Sequence, residues 1–135
     1  MLGEIETSGP QGRIVLADME AGLGTLSRMV KGHVDYVLLI VEPTPKSIEV
    51  ARRAIALARD RDVGQVLVIA NRIRGADDVE MVRQALPSEE ILVVPDDRAI
   101  ENADREARAP VDAAPDSTGV QAFAAIAARL LQWAA

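Results

Sequence analysis

Asp18 and Gly22 stand four residues apart, just beyond the apolar run Ile14-Val15-Leu16-Ala17. A carboxylate at the end of a buried strand can hold Mg2+ through water, and a glycine four residues on can bring its amide to a terminal phosphate. Taken alone, a D-x-x-x-G spacing is more often a capped turn followed by a tight bend. Asn71 closes a third apolar run and offers one carbonyl acceptor and two amide donors, the pattern that reads the donor-acceptor edge of a purine. The competing reading is an ordinary turn asparagine. Pro95 closes a fourth run, where its rigid apolar ring could line a base or simply end the strand.

Other polar residues point away from chemistry. Glu20 lies beside Asp18, but nothing in its spacing assigns it a proton-transfer role. His33, the one histidine, has no soft partner near it in sequence and reads as structural or surface polar, not as a metal ligand. The pairs Asp77-Asp78 and Asp96-Asp97 precede expected helices, where carboxylates are favourable with the helix dipole. Arg52 and Arg53 fall on the wet side of a helix.

The elements that must position these residues follow from hydrophobic periodicity. Four short, mostly β-branched runs (14–17, 36–41, 66–70 and 91–94) read as strands buried on both faces of a parallel sheet. Between them, residues 46–60 carry Ile48, Ala51, Ala54 or Ile55, and Ala58 at helical spacing, and 77–86 form a shorter helix ended by Pro87. Residues 98–108 form a further, heavily charged helix, with 109–115 as a break. Ser117 or Thr118 then caps a C-terminal helix bearing Val120, Phe123, Ala127 and Leu130. Strands alternating with helices imply right-handed crossovers. The expected fold is therefore α/β, an open, mostly parallel sheet of about four strands flanked by helices. Residues 1–12 read as a lead-in ending in Ser8-Gly9-Pro10-Gln11-Gly12, and 13–135 as one domain.

Composition narrows the functional classes. The chain has 135 residues, 49% hydrophobic and 27% charged, enough apolar content for a core. Its formal net charge of −6 opposes the phosphate neutralisation behind nonspecific nucleic-acid binding. With no cysteine, disulfides, thiolate chemistry and sulfur-ligated metals are excluded, so a metal would need oxygen ligands. No apolar run approaches the roughly 20 residues of a membrane span. The acidic start Met1-Leu2-Gly3-Glu4-Ile5-Glu6 is unlike a secretory signal, which makes the cytoplasm the expected location.

In order along the chain, Val15-Leu16-Ala17-Asp18-Met19-Glu20-Ala21-Gly22-Leu23, the stretch 34–48 ending in Glu42-Pro43-Thr44-Pro45-Lys46-Ser47-Ile48, Val68-Ile69-Ala70-Asn71-Arg72 and Val93-Val94-Pro95-Asp96-Asp97 resemble the later motifs of the MinD/ParA-type P-loop ATPases. Within that family the stretches most resemble the CooC-like nickel-insertion ATPases, which mature carbon monoxide dehydrogenase. The resemblance runs from about Arg13 to the C-terminus. It implies a truncated P-loop NTPase fold with ATP or ADP and Mg2+ as ligands. Asp18 would be the Mg2+-associated switch II aspartate and Gly22 the γ-phosphate sensor. Asn71 would read adenine with Arg72 beside it, and Pro95 would belong to the base-pocket loop.

Three departures qualify what the resemblance implies. No G-x-x-x-x-G-K-[ST] occurs, and Gly22-Leu23-Gly24-Thr25 carries no lysine where one is needed, so most phosphate affinity and charge stabilisation are missing. The Cys-x-Cys pair of the nickel enzymes is absent, so nickel binding does not carry over. Gly24-Thr25 stands where those proteins usually show an acidic residue and a histidine. The family's first strand would lie between the strand ending at Asp18 and the one ending at Glu42. Direct pairing of those two strands, combined with self-association, is expected; the other outcome is an edge open to another chain. Functionally, the expectation is an incomplete nucleotide-binding domain that does not hydrolyse ATP alone, acting in metalloenzyme maturation or with a P-loop-bearing partner. The alternative is an interaction or regulatory protein that binds no nucleotide and self-associates through the family's dimer surface.

Overall fold

The computed structural model describes residues 14–19, 23–87 and 89–134. The expected lead-in, Glu20 and Gly22 lie outside the described residues. The order of elements is α1 (Leu23–Arg28), β1 (Tyr36–Val41), α2 (Pro45–Asp60), β2 (Gln65–Ile73), α3 (Ala76–Ala85), β3 (Glu90–Pro95), α4 (Arg98–Arg105), α5 (Pro110–Ala113) and α6 (Thr118–Ala134). The strands form a parallel sheet in the order β1-β2-β3, with Leu39 opposite Val68 and Val68 opposite Ile91. This is the α/β architecture that the alternating pattern requires.

Strand alternation sorts the core into two layers. On one face, Val41, Val68 and Ala70 bury against Ile48, Ala51 and Ile55 of α2 and Val82 of α3. On the other, Ile69 and Val94, with Leu38 and Leu92 beside them, meet Ile126 and Leu130 of α6. Both β-α-β connections therefore cross on the same face, as right-handed crossovers running in one direction must. α6 covers the opposite face and packs chiefly over β3.

The start of α2 fixes the end of β1. The Thr44 side chain accepts from the Ser47 amide at 3.2 Å, and the Ser47 hydroxyl accepts from the Glu42 amide at 3.0 Å. Pro45 adds a preset φ at the first helical turn. At the other end of the crossover, Gly64 has φ +149, and a Cβ there would lie 2.8 Å from the Val34 carbonyl oxygen. That close approach lets the Gln65 amide bond the Asp35 carbonyl at 2.9 Å and sets the β1-β2 register.

Two expectations need correction. Residues 14–19 carry no regular secondary structure, so Ile14–Ala17 is not a strand and does not pair directly with β1. Leu16 is 72% and Val15 56% exposed. A continuous apolar run makes a parallel strand only where a neighbour supplies the ladder, and among the described residues none does. The expected break at 109–115 contains the short α5, because Pro110 sits at the first helical position, where its missing N–H costs nothing. α1 was not foreseen at all.

Asp97 joins three elements. Its carboxylate caps α4 by accepting from the Ala99 amide at 2.8 Å and reaches the start of α6, accepting from the Gly119 amide at 2.7 Å and the Thr118 hydroxyl at 3.4 Å. A Cβ on Gly119 would lie 2.9 Å from Asp97 and 2.5 Å from Ile100, so only glycine permits this approach. The Gly119 and Ala99 amides, in that order, hold the Asp97 carboxyl below its ordinary range, while desolvation works weakly against them.

Two predictions follow from this packing. Gly64→Ala should lower unfolding stability by about 1–3 kcal/mol in urea melts, because an L-residue is strained at that φ and its Cβ meets the Val34 and Asp35 carbonyls. For Asp97, a depressed native pKa adds stability that is fully present above the unfolded value, near about 4, and is lost as pH falls through the folded one. Acid titration of the melting temperature should show that loss, and Asp97→Asn should flatten it while lowering stability at neutral pH.

Candidate functional site

In open parallel sheets, ligands collect beyond the carboxyl ends of the strands. Here those ends carry Glu42 after β1, Asn71 and Arg72 near the end of β2, and Pro95 and Asp96 at the end of β3. A bulge brings them together. The β2-β3 register shifts between Ala70 and Ile73, and Arg72 takes φ +58, in the left-handed region that is uncommon for a residue with a Cβ. As a result Ile73 returns to the same buried layer as Val68 and Ala70. Asn71 is left on the α6 side of the sheet, Arg72 is the extra residue, and Ile73 pairs with Pro95. The Asp96 amide then bonds the Ile73 carbonyl at 2.9 Å, tying the loop after β3 to the end of β2.

The half-buried Asn71 makes no side-chain hydrogen bond with any described residue. Pro95 is likewise half-buried. Arg72 reaches across all three strands, with Nη1 3.9 Å from Glu42 Oε1 and Nε 3.7 Å from Asp96 Oδ1. Arg74 donates to Asp96 Oδ2 at 3.0 Å, and its own amide donates to Asp78 at 2.8 Å. Each guanidinium is exposed, so these pairs orient side chains more than they stabilise the fold. A shallow depression of about 360 Å3 lined by Arg74, Gly75, Ala76, Asp77 and Asp78 flanks this cluster at the start of α3.

The structure thus brings Asn71, Arg72 and Pro95 to one end of the sheet. Asp18 is different. It is exposed in the stretch without regular structure, not at the end of a formed strand, and makes no hydrogen bond or ion pair to the cluster. Gly22 lies outside the described residues. Among the described residues there is no group of three or more His, Asp or Glu side chains able to hold a metal ion. The sequence places Glu42 at a strand end without giving it a role, gives Arg74 none and favours the helix dipole for Asp96; Arg74 and Asp96 directly follow β2 and β3 only where the structure ends those strands. For Asp97 and Asp78 the helix-start reading fits, since Asp97 caps α4 and Asp78 lies in the first turn of α3. His33 accepts from the Val30 amide at 3.4 Å in an exposed turn. Arg53 pairs with Glu49 at 3.0 Å, and Arg52 donates to the Ala85 carbonyl at 3.2 Å, which links α2 to α3.

Chemically, the cluster offers an amide able to read a purine edge, a planar cation and a rigid apolar ring. It holds no lysine, no row of free backbone amides for phosphate and no positioned base.

No protein-family model matches the chain. It is 33% identical over 90 residues to an uncharacterized ATP-binding protein of Methanocaldococcus jannaschii, covering 64% of this chain and 35% of that protein. It is 32% identical over 102 residues to the carbon monoxide dehydrogenase accessory protein CooC of Rhodospirillum rubrum, covering 75% and 39%. Among solved structures it is similar to the MinD cell division protein of Aquifex aeolicus, with a TM-score of 0.62 and 27% identity over 73% of this chain and 44% of that one. The chain therefore spans well under half the length of the proteins it matches. Sequence motifs, parallel topology and these similarities agree that this chain is a partial relative of the CooC-like, MinD/ParA-type P-loop ATPases, without their phosphate loop in its 135 residues.

Proposed function

We propose that the chain is an incomplete nucleotide-binding domain that takes the base side of an adenine nucleotide and does not hydrolyse ATP by itself. The observation that supports this reading is the bulge at Arg72 in β2, which leaves Asn71, Arg72 and Pro95 all at the carboxyl end of the sheet. In this reading Asn71 hydrogen-bonds the adenine edge, Pro95 packs on the base, and Arg72 exchanges its long contacts with Glu42 and Asp96 for the ligand. The similarity to an ATP-binding protein and to CooC supports the choice of ATP or ADP.

Phosphoryl transfer needs a cradle of backbone amides and a cation on the leaving phosphates, and this sequence has neither in the form of a G-x-x-x-x-G-K-[ST] loop. In this reading a P-loop-bearing partner supplies the phosphate cradle, in a cytoplasmic role such as metalloenzyme maturation. In the assembled site Asp18 would hold Mg2+ through water, and Gly22 would sense the terminal phosphate. Nickel has no sulfur ligand here and is not part of the proposal.

Calorimetry with ADP and Mg2+ should give measurable heat, and Asn71→Ala should weaken binding by ~10-fold, the worth of one or two hydrogen bonds. No heat at high ligand concentration, or an unchanged affinity in Asn71→Ala, would contradict the assignment. The purified chain should release no phosphate from ATP above background in a coupled assay; Mg2+-dependent turnover abolished by Asp18→Asn would overturn the claim of incompleteness.

A further inference from the structure

α6 runs back along β3 and is fastened at both ends of that strand. At the amino end Arg129 pairs with Glu90 at 3.0 Å. Between the ends, Ile126 and Leu130 pack with Ile69, Leu92 and Val94. Just past the carboxyl end, Asp97 Oδ2 accepts from the Gly119 amide at 2.7 Å, while Oδ1 caps α4 by accepting from the Ala99 amide at 2.8 Å. The two fastenings differ in strength. The ion pair is partly exposed and contributes little. Gly119 is buried in the first turn of α6, where a backbone amide has no partner within its own helix, so losing the Asp97 oxygen leaves a buried donor unsatisfied. Capping α4 requires only one carboxylate oxygen. The second oxygen, and the glycine without which a Cβ would lie 2.9 Å from it, serve the contact between the β3 loop and α6.

From this geometry we infer that Asp97 is a positioning residue for the proposed base site, and that through it the docking of α6 and the binding of nucleotide are linked. This rests on the assignment of Asn71 and Pro95 to the base and adds how that site is held and from where it is regulated. Pro95 lies two residues before Asp97, and the Asp96 amide between them donates to the Ile73 carbonyl at 2.9 Å, immediately after the bulge at Arg72. The loop after β3 is therefore tethered to the end of β2 on one side and to the first turn of α6 on the other. Asn71 lies on the same face of the sheet as Ile69, which Ile126 of α6 covers. A shift of the first turn of α6 pulls on Asp97 and, one peptide along, on the Asp96 bond that keeps Pro95 against β2. Linkage makes the effect reciprocal: a ligand that holds Pro95 in place favours the docked α6, and a loosened α6 weakens the ligand, although no residue of α6 has to touch it. If Asp97 were a cap for α4 and nothing else, α6 and the base site would be independent.

Two variants of the full chain separate the contact with α6 from the cap. Gly119→Ala sets a Cβ against the Asp97 side chain. Asp97→Ser keeps an oxygen able to cap α4 but is too short to reach Gly119 as well. Without nucleotide, hydrogen exchange read by NMR should show the Asp96 amide exchanging at least ~10-fold faster in both variants than in the unaltered chain. With ADP, calorimetry should show both variants binding ~10-fold more weakly. Gly64→Ala, which strains the fold at the opposite end of the sheet, should bind ADP as the unaltered chain does, so that a general loss of stability is told apart from a loosened loop. ADP should also slow exchange of the Gly119 amide in the unaltered chain. Unchanged Asp96 exchange in both variants overturns the inference, as does an unchanged ADP affinity in both, or a loss of affinity in Gly64→Ala as large as theirs. Failure of the base assignment itself shows separately, as an ADP affinity that Asn71→Ala does not alter.

Discussion

A parallel sheet is stable only when both faces are covered and its interior edges are paired, and this requirement shapes the whole molecule. β2 meets it fully: it has neighbours on both sides, α2 and α3 bury Val68 and Ala70 on one face, and α6 buries Ile69 on the other. β3 meets it through α6 and an edge finished with Glu90 and Pro95. Among the described residues β1 has a strand neighbour on one edge only. The well-covered strands β2 and β3 are the ones that carry Asn71, Arg72 and Pro95.

Within that frame, one local distortion shapes the carboxyl end of β2. Had β2 continued in regular alternation past Ala70, Ile73 would have turned to the α6 face and the next residues would have been set differently at the crevice. The left-handed conformation at Arg72 absorbs one residue and returns Ile73 to the core. Strain of this kind persists only where surrounding structure holds it, and here the Ile73–Asp96 bond and the Asp97 clasp to Gly119 fix the facing loop. The bulge, the clasp and the α4-α6 contact together support the loop that follows β3.

The sequence made the long, strongly patterned elements legible. The runs at 36–41, 66–70 and 91–94 are strands within a few residues, and the periodic Ile48, Ala51, Ile55 and Ala58 are the buried face of α2. Ile14–Ala17 misled because a β-branched run states only that a strand is allowed; pairing depends on a neighbour that local sequence does not contain. The bulge was invisible because Asn71-Arg72 includes no glycine to advertise a positive φ. Asp97 was readable as the cap of α4, but its bond to Gly119 spans 22 residues, and nothing in either segment announces the other. The position of Asn71 and Pro95 at the carboxyl end of the sheet was legible because each directly ends an apolar run, whereas the charge network of Glu42, Arg74 and Asp96 depends on strand adjacency that only the fold supplies.

The central claim is that this chain keeps the wall that recognises a base and lacks the cradle that grips phosphate. Comparing the affinities of adenosine, ADP and ATP for the isolated chain, each with and without Mg2+, tests it most directly. The account predicts constants that agree within a few-fold across the three ligands and are indifferent to the metal. A steep gain from adenosine to ATP that requires Mg2+ would contradict it.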